Sequence, residues 1–247
     1  DEAVALAHDN PGLAVGLHLV LAQGQPSAAP ESIPDLVRGD GRFGDSPVLS
    51  GLRYFFLPGI RTQLRREVEA QLQRFQTFNL GLSHVNGHLN MHLHPEVLDI
   101  LLELAWEYRI TAIRLTREPL IAALMIDPRA PLRKMAESAV FCALAQWAEP
   151  RLRAAGIQYA DVVHGLHQTG AIDEKYLVNV LGRLETGSAE LYCHPGAVPD
   201  AEAKRSRPGS RQARELAALC SRRVRESVYQ HGITLSNYWQ LRKDPDA

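Results

Sequence analysis

The sequence predicts an α/β fold, a mostly parallel sheet with helices on its outside, either open or closed into a barrel. Three observations carry that expectation. Short apolar runs alternate with segments of helical periodicity along the whole chain, as strands joined by crossover helices do. The length of 247 residues suits a single α/β barrel. The composition, 45% hydrophobic and 22% charged, is that of a globular chain able to bury a core. No repeat or linker divides the chain convincingly, so residues 1–247 read as one domain.

The elements follow in order. DEAVALAHDN reads as the end of an amphipathic helix, stopped by Pro11-Gly12. Leu13 to Leu21 is short and apolar, as a buried parallel strand is. Residues 22–59 are rich in Gly, Pro, Ser and Asp and read as a long excursion, of the kind that carries function. In residues 60–79, Leu64, Val68, Leu72 and Phe75 recur at helical spacing. A strand is expected at 80–85, then a helix opened by Pro95, whose missing N–H costs nothing at a first helical position. Strand 110–115, mainly helical 119–155 and strand 160–166 follow. DEKYLVNVLGRLE reads as a helix with Asp173 near its positive end. Strand 189–193, a charged loop over 199–211, a helix over 212–231 and a last strand at 233–238 complete the chain.

Charge and cysteine content narrow the function. Lys and Arg number 27 against 28 Asp and Glu, which argues against a nucleic-acid partner. Cys142, Cys193 and Cys220 are far apart and form no C-x-x-C pair, which argues against a disulfide framework and thiolate zinc and for a reducing compartment. No apolar run approaches the length of a membrane span. No secretory leader is seen, and the chain opens on Asp rather than Met.

The chemistry concentrates in three places where a histidine stands at or just past the end of a short apolar strand: LAVGLHL, LSHVNGH and ELYCHPG. Parallel strands present those ends on one face, where such folds build their sites. His18, His88 and His194 are therefore the candidates for convergence. Four of the ten histidines, His84, His88, His92 and His94, fall within LSHVNGHLNMHLHPEV. Imidazole suits zinc, nickel, copper and iron, usually beside a carboxylate. A lone His18 on an apolar strand reads first as a core histidine, whereas the cluster of four reads first as metal or catalysis. His194 reads equally as a structural turn residue. His84 is expected inside the strand and His94 at the helix start. Asn86 is placed to hydrogen-bond a ligand or the loop. His164 and His167 read as surface or loop residues, and Asp161 and Asp173 as a strand-edge charge and a helix cap. Arg114 and Arg117 reach either a substrate or a salt bridge. Lys204, Arg205, Arg207 and Arg211 read as a solvated face, with anionic lipid as the sharper alternative. P-loop, dinucleotide, nucleophile-elbow and H-E-x-x-H motifs are absent.

In VGLHLVL, SHVNGHLNMHLHPEV and ELYCHPG the chain resembles the YdjC-like carbohydrate deacetylases, over essentially its whole length. NMHLHP, IRLTREPL and ELYCHPGA resemble the hopanoid-biosynthesis (HpnK-like) branch. The resemblance implies an irregular (β/α) TIM-like barrel and metal-dependent removal of the acetyl group from an N-acetylglucosaminyl hopanoid. It implies a divalent metal, Mg or Zn, held by His18, His88 and an aspartate. It gives His194 a part in proton transfer and lets His92 and Arg114 shape the sugar site. It also implies a homodimer, and a cytoplasmic protein with peripheral contact at the inner face of the membrane. The family's Asp-Asp-Phe-Gly motif, which closes its first strand, has no match here. The expectation is that this strand and its aspartates lie upstream in a longer protein. Two rivals stand beside this reading: a metal phosphoesterase, and a barrel that binds a glycolipid or sugar without turning it over.

Overall fold

A computed structural model describes residues 2–197 and 210–241. The structure is mixed α/β, with helices around a few short parallel strands. The chain divides into two compact units. The first comprises residues 1–115, 144–159 and 237–247, and the second 116–143 and 160–236.

In the first unit, α1 (Glu2–Asp9) precedes β1 (Leu17–Leu19), α2 (Pro47–Phe56), α3 (Ile60–Gln76), β2 (Val85–Gly87), a 3-10 turn (His88–Leu93) and α4 (Pro95–Tyr108). β1 and β2 are parallel, with His18 opposite Asn86 and Leu19 opposite Gly87. Isolated parallel bridges, Val85 to Ile113 and Ala112 to Gln158, continue the order. The sheet is thus laid down strand beside strand, as the alternating sequence predicts. Among the described residues the strands do not close into a barrel. Regular pairing runs for only three residues in β1 and in β2; His18 lies within β1, and His88 opens the turn directly after β2.

The helices obey their apolar spacing. Leu64, Val68, Leu72 and Phe75 of α3 are all buried, as are Val97, Leu98, Leu101 and Leu104 of α4. α3 also has a polar inner edge that holds the chain after β1. Gln71 exchanges two hydrogen bonds with the backbone of Val20, and Glu67 accepts from the N–H groups of Ser27 and Ala28. Burial raises the Glu67 pKa, against the lowering effect of those donors. The 22–59 excursion is therefore pinned rather than loose. It also holds an unforeseen helix, α2, with Ser46 as its cap and Pro47 at its first position. Both are ordinary start signals.

In the second unit, α5 (Leu120–Ile126), β3 (Val162–His164), α7 (Glu174–Leu181), β4 (Ala189–Leu191), α8 (Arg211–Leu219) and α9 (Arg222–Gln230) are joined by the first part of α6 (Pro131–Ala154). β3 and β4 are again parallel, with His164 opposite Leu191. Ile172, Tyr176, Leu177, Val180, Ala218 and Val224 form a core. Asp173 caps α7 by accepting from Tyr176 N–H at 2.8 Å. The single helix expected over 212–231 is two, because the Ser221 hydroxyl accepts from the N–H groups of Arg223 and Val224 and starts a new one. The strand expected over 233–238 does not form. Its end packs by rings instead, with Tyr238 stacked on His84 at 4.4 Å. Lys204, Arg205 and Arg207 lie outside the described residues.

Gly87 joins β2 to the turn, and a Cβ there would meet the Cβ, backbone N and Nδ1 of His92 at 3.1 Å. Gly87→Ala is expected to cost about 1–3 kcal/mol through overpacking, read as a lowered melting temperature.

Candidate metal centre

The parallel register of β1 and β2 decides the site. It sets His18 at the rim beside Asn86 and brings His88, the next residue after β2, alongside. The two imidazole rings stand 5.8 Å apart, nearly edge to face, although 70 positions separate them. Leu19 is buried while His18 is exposed, the ordinary alternation of a strand.

Hydrogen bonds fix which nitrogen of each ring carries its proton. Gln23 Nε2 donates to the Asp45 carbonyl at 2.8 Å, which turns Gln23 Oε1 toward His88 Nε2 at 3.3 Å. An amide oxygen only accepts, so His88 Nε2 carries the hydrogen and Nδ1 the lone pair. Asn86 faces His84 Nε2 with its Nδ2 at 3.3 Å and His18 Nδ1 with its Oδ1 at 2.6 Å. His18 Nδ1 is then the donor, and its Nε2 carries the lone pair. Both rings are thus oriented by a carboxamide, the kind of support that ligating histidines receive. Gln23 does this from a left-handed backbone, with φ 56°. Sequence reasoning missed Gln23, because nothing local marks a glutamine for positive φ.

The turn after His88 is strained. Leu89 and Asn90 both have left-handed backbones, with φ 53° and 56°, a conformation that costs free energy in non-glycine residues. His92 anchors the far end of the turn. It is fully buried, and its Nε2–H donates to the Arg114 carbonyl at 2.9 Å. Burial pushes its pKa down to about 3, with nearby Arg114, His18 and His84 adding to the effect. His92 is therefore neutral, and its Nδ1 has no hydrogen-bond partner. His94 opens α4 as expected, but its ring is used elsewhere: Nε2–H donates to the Gly51 carbonyl at 3.1 Å. His84 lies just before β2 rather than in it, bonded to Ser83 Oγ at 2.7 Å.

His194 belongs to the second unit. It follows β4 and is exposed, its ring beside Tyr192 and its backbone N–H donating to Glu215 at 2.6 Å. The same unit corrects one expectation. His164 ends β3 and His167 lies in the loop after it, as one of the two readings had it, but both are buried rather than at the surface, because the buried Glu118 carboxylate gathers this segment. It accepts from His167 N–H at 2.9 Å and from the Tyr176 hydroxyl at 3.3 Å. His167 also bonds Ser138 at 2.8 Å and Glu137 at 3.2 Å through its two ring nitrogens. Gly165 sits in this loop at φ 113°. Asp161 accepts from Ser188 N–H and Oγ, the strand-edge role expected of it.

The imidazole pair fits a divalent cation. Rings at this spacing could both reach one ion through metal–nitrogen bonds of about 2.0–2.1 Å. Among the described residues, no group of three or more His, Cys, Asp or Glu is arranged to hold a metal ion. His18 and His88 stand side by side as two nitrogen donors.

Comparison with known proteins shows the family. Residues 1–230 match the family described as YdjC-like protein. The chain belongs to the YdjC-like family. A carbohydrate deacetylase of Geobacillus stearothermophilus is 28% identical over 246 residues, covering 98% of this chain and 82% of that protein. One of Thermoanaerobacter pseudethanolicus is 24% identical, covering 96% and 82%. One of Brevibacillus brevis is 39% identical over a shorter match, 44% of this chain and 41% of that protein. A crystal structure from Enterococcus faecalis, named for cellobiose-phosphate cleavage, superposes with a TM-score of 0.66 at 23% identity, covering 97% and 82%. That likeness shows a shared fold over nearly the whole chain.

Proposed function

We propose that this YdjC-like chain hydrolyses the N-acetyl group of an N-acetylglucosaminyl hopanoid, leaving a free amine on the sugar. It is an enzyme of the carbohydrate deacetylase class, on the strength of its family and its relatives. The observation that carries the reading is the pair of tautomer-fixed imidazoles, His18 and His88, at the ends of adjacent parallel strands. The hopanoid acceptor rests on the IRLTREPL and ELYCHPGA motifs, the single functional domain on the unbroken family match, and the irregular barrel on the parallel strand order.

His18 and His88 would hold a divalent cation, with the aspartate that the family resemblance implies as a further ligand. When bound, the cation polarises the acetyl carbonyl and lowers the pKa of a water molecule. Two nitrogen donors favour zinc over magnesium, which prefers oxygen. Water oxygen adds to the carbonyl carbon, the carbon–nitrogen bond breaks, and acetate and amine result. His194, to which the family resemblance gives a part in proton transfer, protonates the departing amine. His92 and Arg114 shape the sugar site as a unit, since the His92 ring holds the Arg114 carbonyl.

The test is acetate release by the native protein from an N-acetylglucosaminyl lipid, before and after chelation and after re-addition of zinc or magnesium. Release that stops on chelation and returns with metal is expected. Release of phosphate from a sugar phosphate without acetate would favour a phosphoesterase. Stoichiometric glycolipid binding with neither product would favour a binding protein.

A further inference from the structure

The helix inside the excursion, α2, is built the wrong way round for a soluble surface. Val48, Leu49, Leu52, Phe55 and Phe56 are between 49% and 78% exposed. At 100° per residue they fall in one arc of about 120°. Ser50 and Tyr54, on the opposite side, are buried, and the Tyr54 hydroxyl donates to the Leu21 carbonyl at 2.7 Å. The helix therefore turns its polar groups inward and its apolar stripe outward. Arg53, at the rim of the stripe, is the one charged residue of α2 and makes no ion pair among the described residues; its guanidinium donates to the Asp35 carbonyl.

We propose that α2 lays this stripe into the surface of a lipid bilayer, with Arg53 meeting anionic headgroups. Charge and area both favour that occupant. The helix carries a cation and no carboxylate, which suits an anionic surface. The five side chains expose roughly 600 Å², at the upper end of patches on monomers and below the roughly 800 Å² each partner commits to a stable protein pair. Shallow insertion of a helix face needs no such area. The stripe is also tied to the candidate site. Phe55 lies 4.2 Å from the His94 ring, and Gly51 accepts from His94. His94 closes the turn that His88 opens, so a membrane under α2 lies beside the imidazole turn.

The test is sedimentation of the native protein with vesicles of phosphatidylcholine and phosphatidylglycerol in equal parts, and of phosphatidylcholine alone. Binding to the mixed vesicles is expected, weaker to phosphatidylcholine. Leu52→Ser/Phe56→Ser should lower the bound fraction about tenfold with an unchanged melting temperature, and Phe56→Ser alone should lower it less. Ile121→Ser/Met125→Ser, at exposed apolar positions of α5, should bind as the wild type does. The proposal is overturned if the wild type does not sediment, if the α2 variants bind equally, or if the α5 control loses as much. It is also overturned if the α2 variants only split a dimer, which would assign the stripe to a second copy. No turnover is needed for this readout. Vesicle binding without acetate release would therefore refute the proposed reaction alone.

Discussion

Replacing His18 and His88 together by Ala removes acetate release from the native protein, by at least about a thousandfold, if the two rings hold the cation that activates water. Metal stoichiometry in equilibrium dialysis should fall in parallel. The single variants should each lose most of the affinity, since a site loses its geometry with either donor. Gln23→Leu tests the finer point. It leaves both rings in place but removes the acceptor that fixes the His88 tautomer, and second-sphere losses of this kind cost about 10–100-fold in metal affinity. Unchanged metal binding and acetate release in the double variant would end the metal-centre reading.

Acid should destabilise the fold well before its carboxylates are protonated. His92 is buried neutral with its pKa at about 3, pushed there first by burial. Unfolding returns it to about 6.5. Below that value the unfolded chain takes up a proton that the folded chain refuses. Stability is thus complete above about pH 6.5 and is lost as pH falls toward 3, with a limiting slope of about 1.4 kcal/mol per pH unit and a ceiling of about 5 kcal/mol from this one group. Burial lowers the pKa of His94 and His164 as well, which adds in the same direction. Glu67 opposes them, because its raised pKa favours the folded state when protonated. His92→Gln keeps an amide donor for the Arg114 carbonyl and removes the titration. Urea unfolding across this pH range should show a lower maximum and a slope reduced by one proton. An unchanged slope in His92→Gln would show that His92 is not the group.

Much of the centre was legible because parallel strands convert sequence position into spatial position. A histidine at the end of one short apolar run and another just past the next must meet if the runs pair in register, as His18 and His88 do. The helix at 60–76 was legible from apolar spacing, and that at 95–108 from Pro95 as its start signal and the apolar stripe that follows. α2 was hidden by the Gly and Pro around it, although Ser46-Pro47 is a start signal. The buried His164 and His167 were not legible either, because the carboxylate that gathers them, Glu118, stands 46 positions before His164.

The amino-acid sequence by itself determined the alternation of elements, the helical faces of α3 and α4, and the pair of strand ends that carry imidazole. Those depend on local spacing and on the fixed geometry of a parallel ladder. Only the tertiary structure decided that Gln23 would bend through a left-handed backbone to hold His88, that His92 would be sealed from solvent, and that α2 would face its apolar stripe outward. Each depends on what lies opposite a residue across the fold, a neighbour that no local spacing specifies.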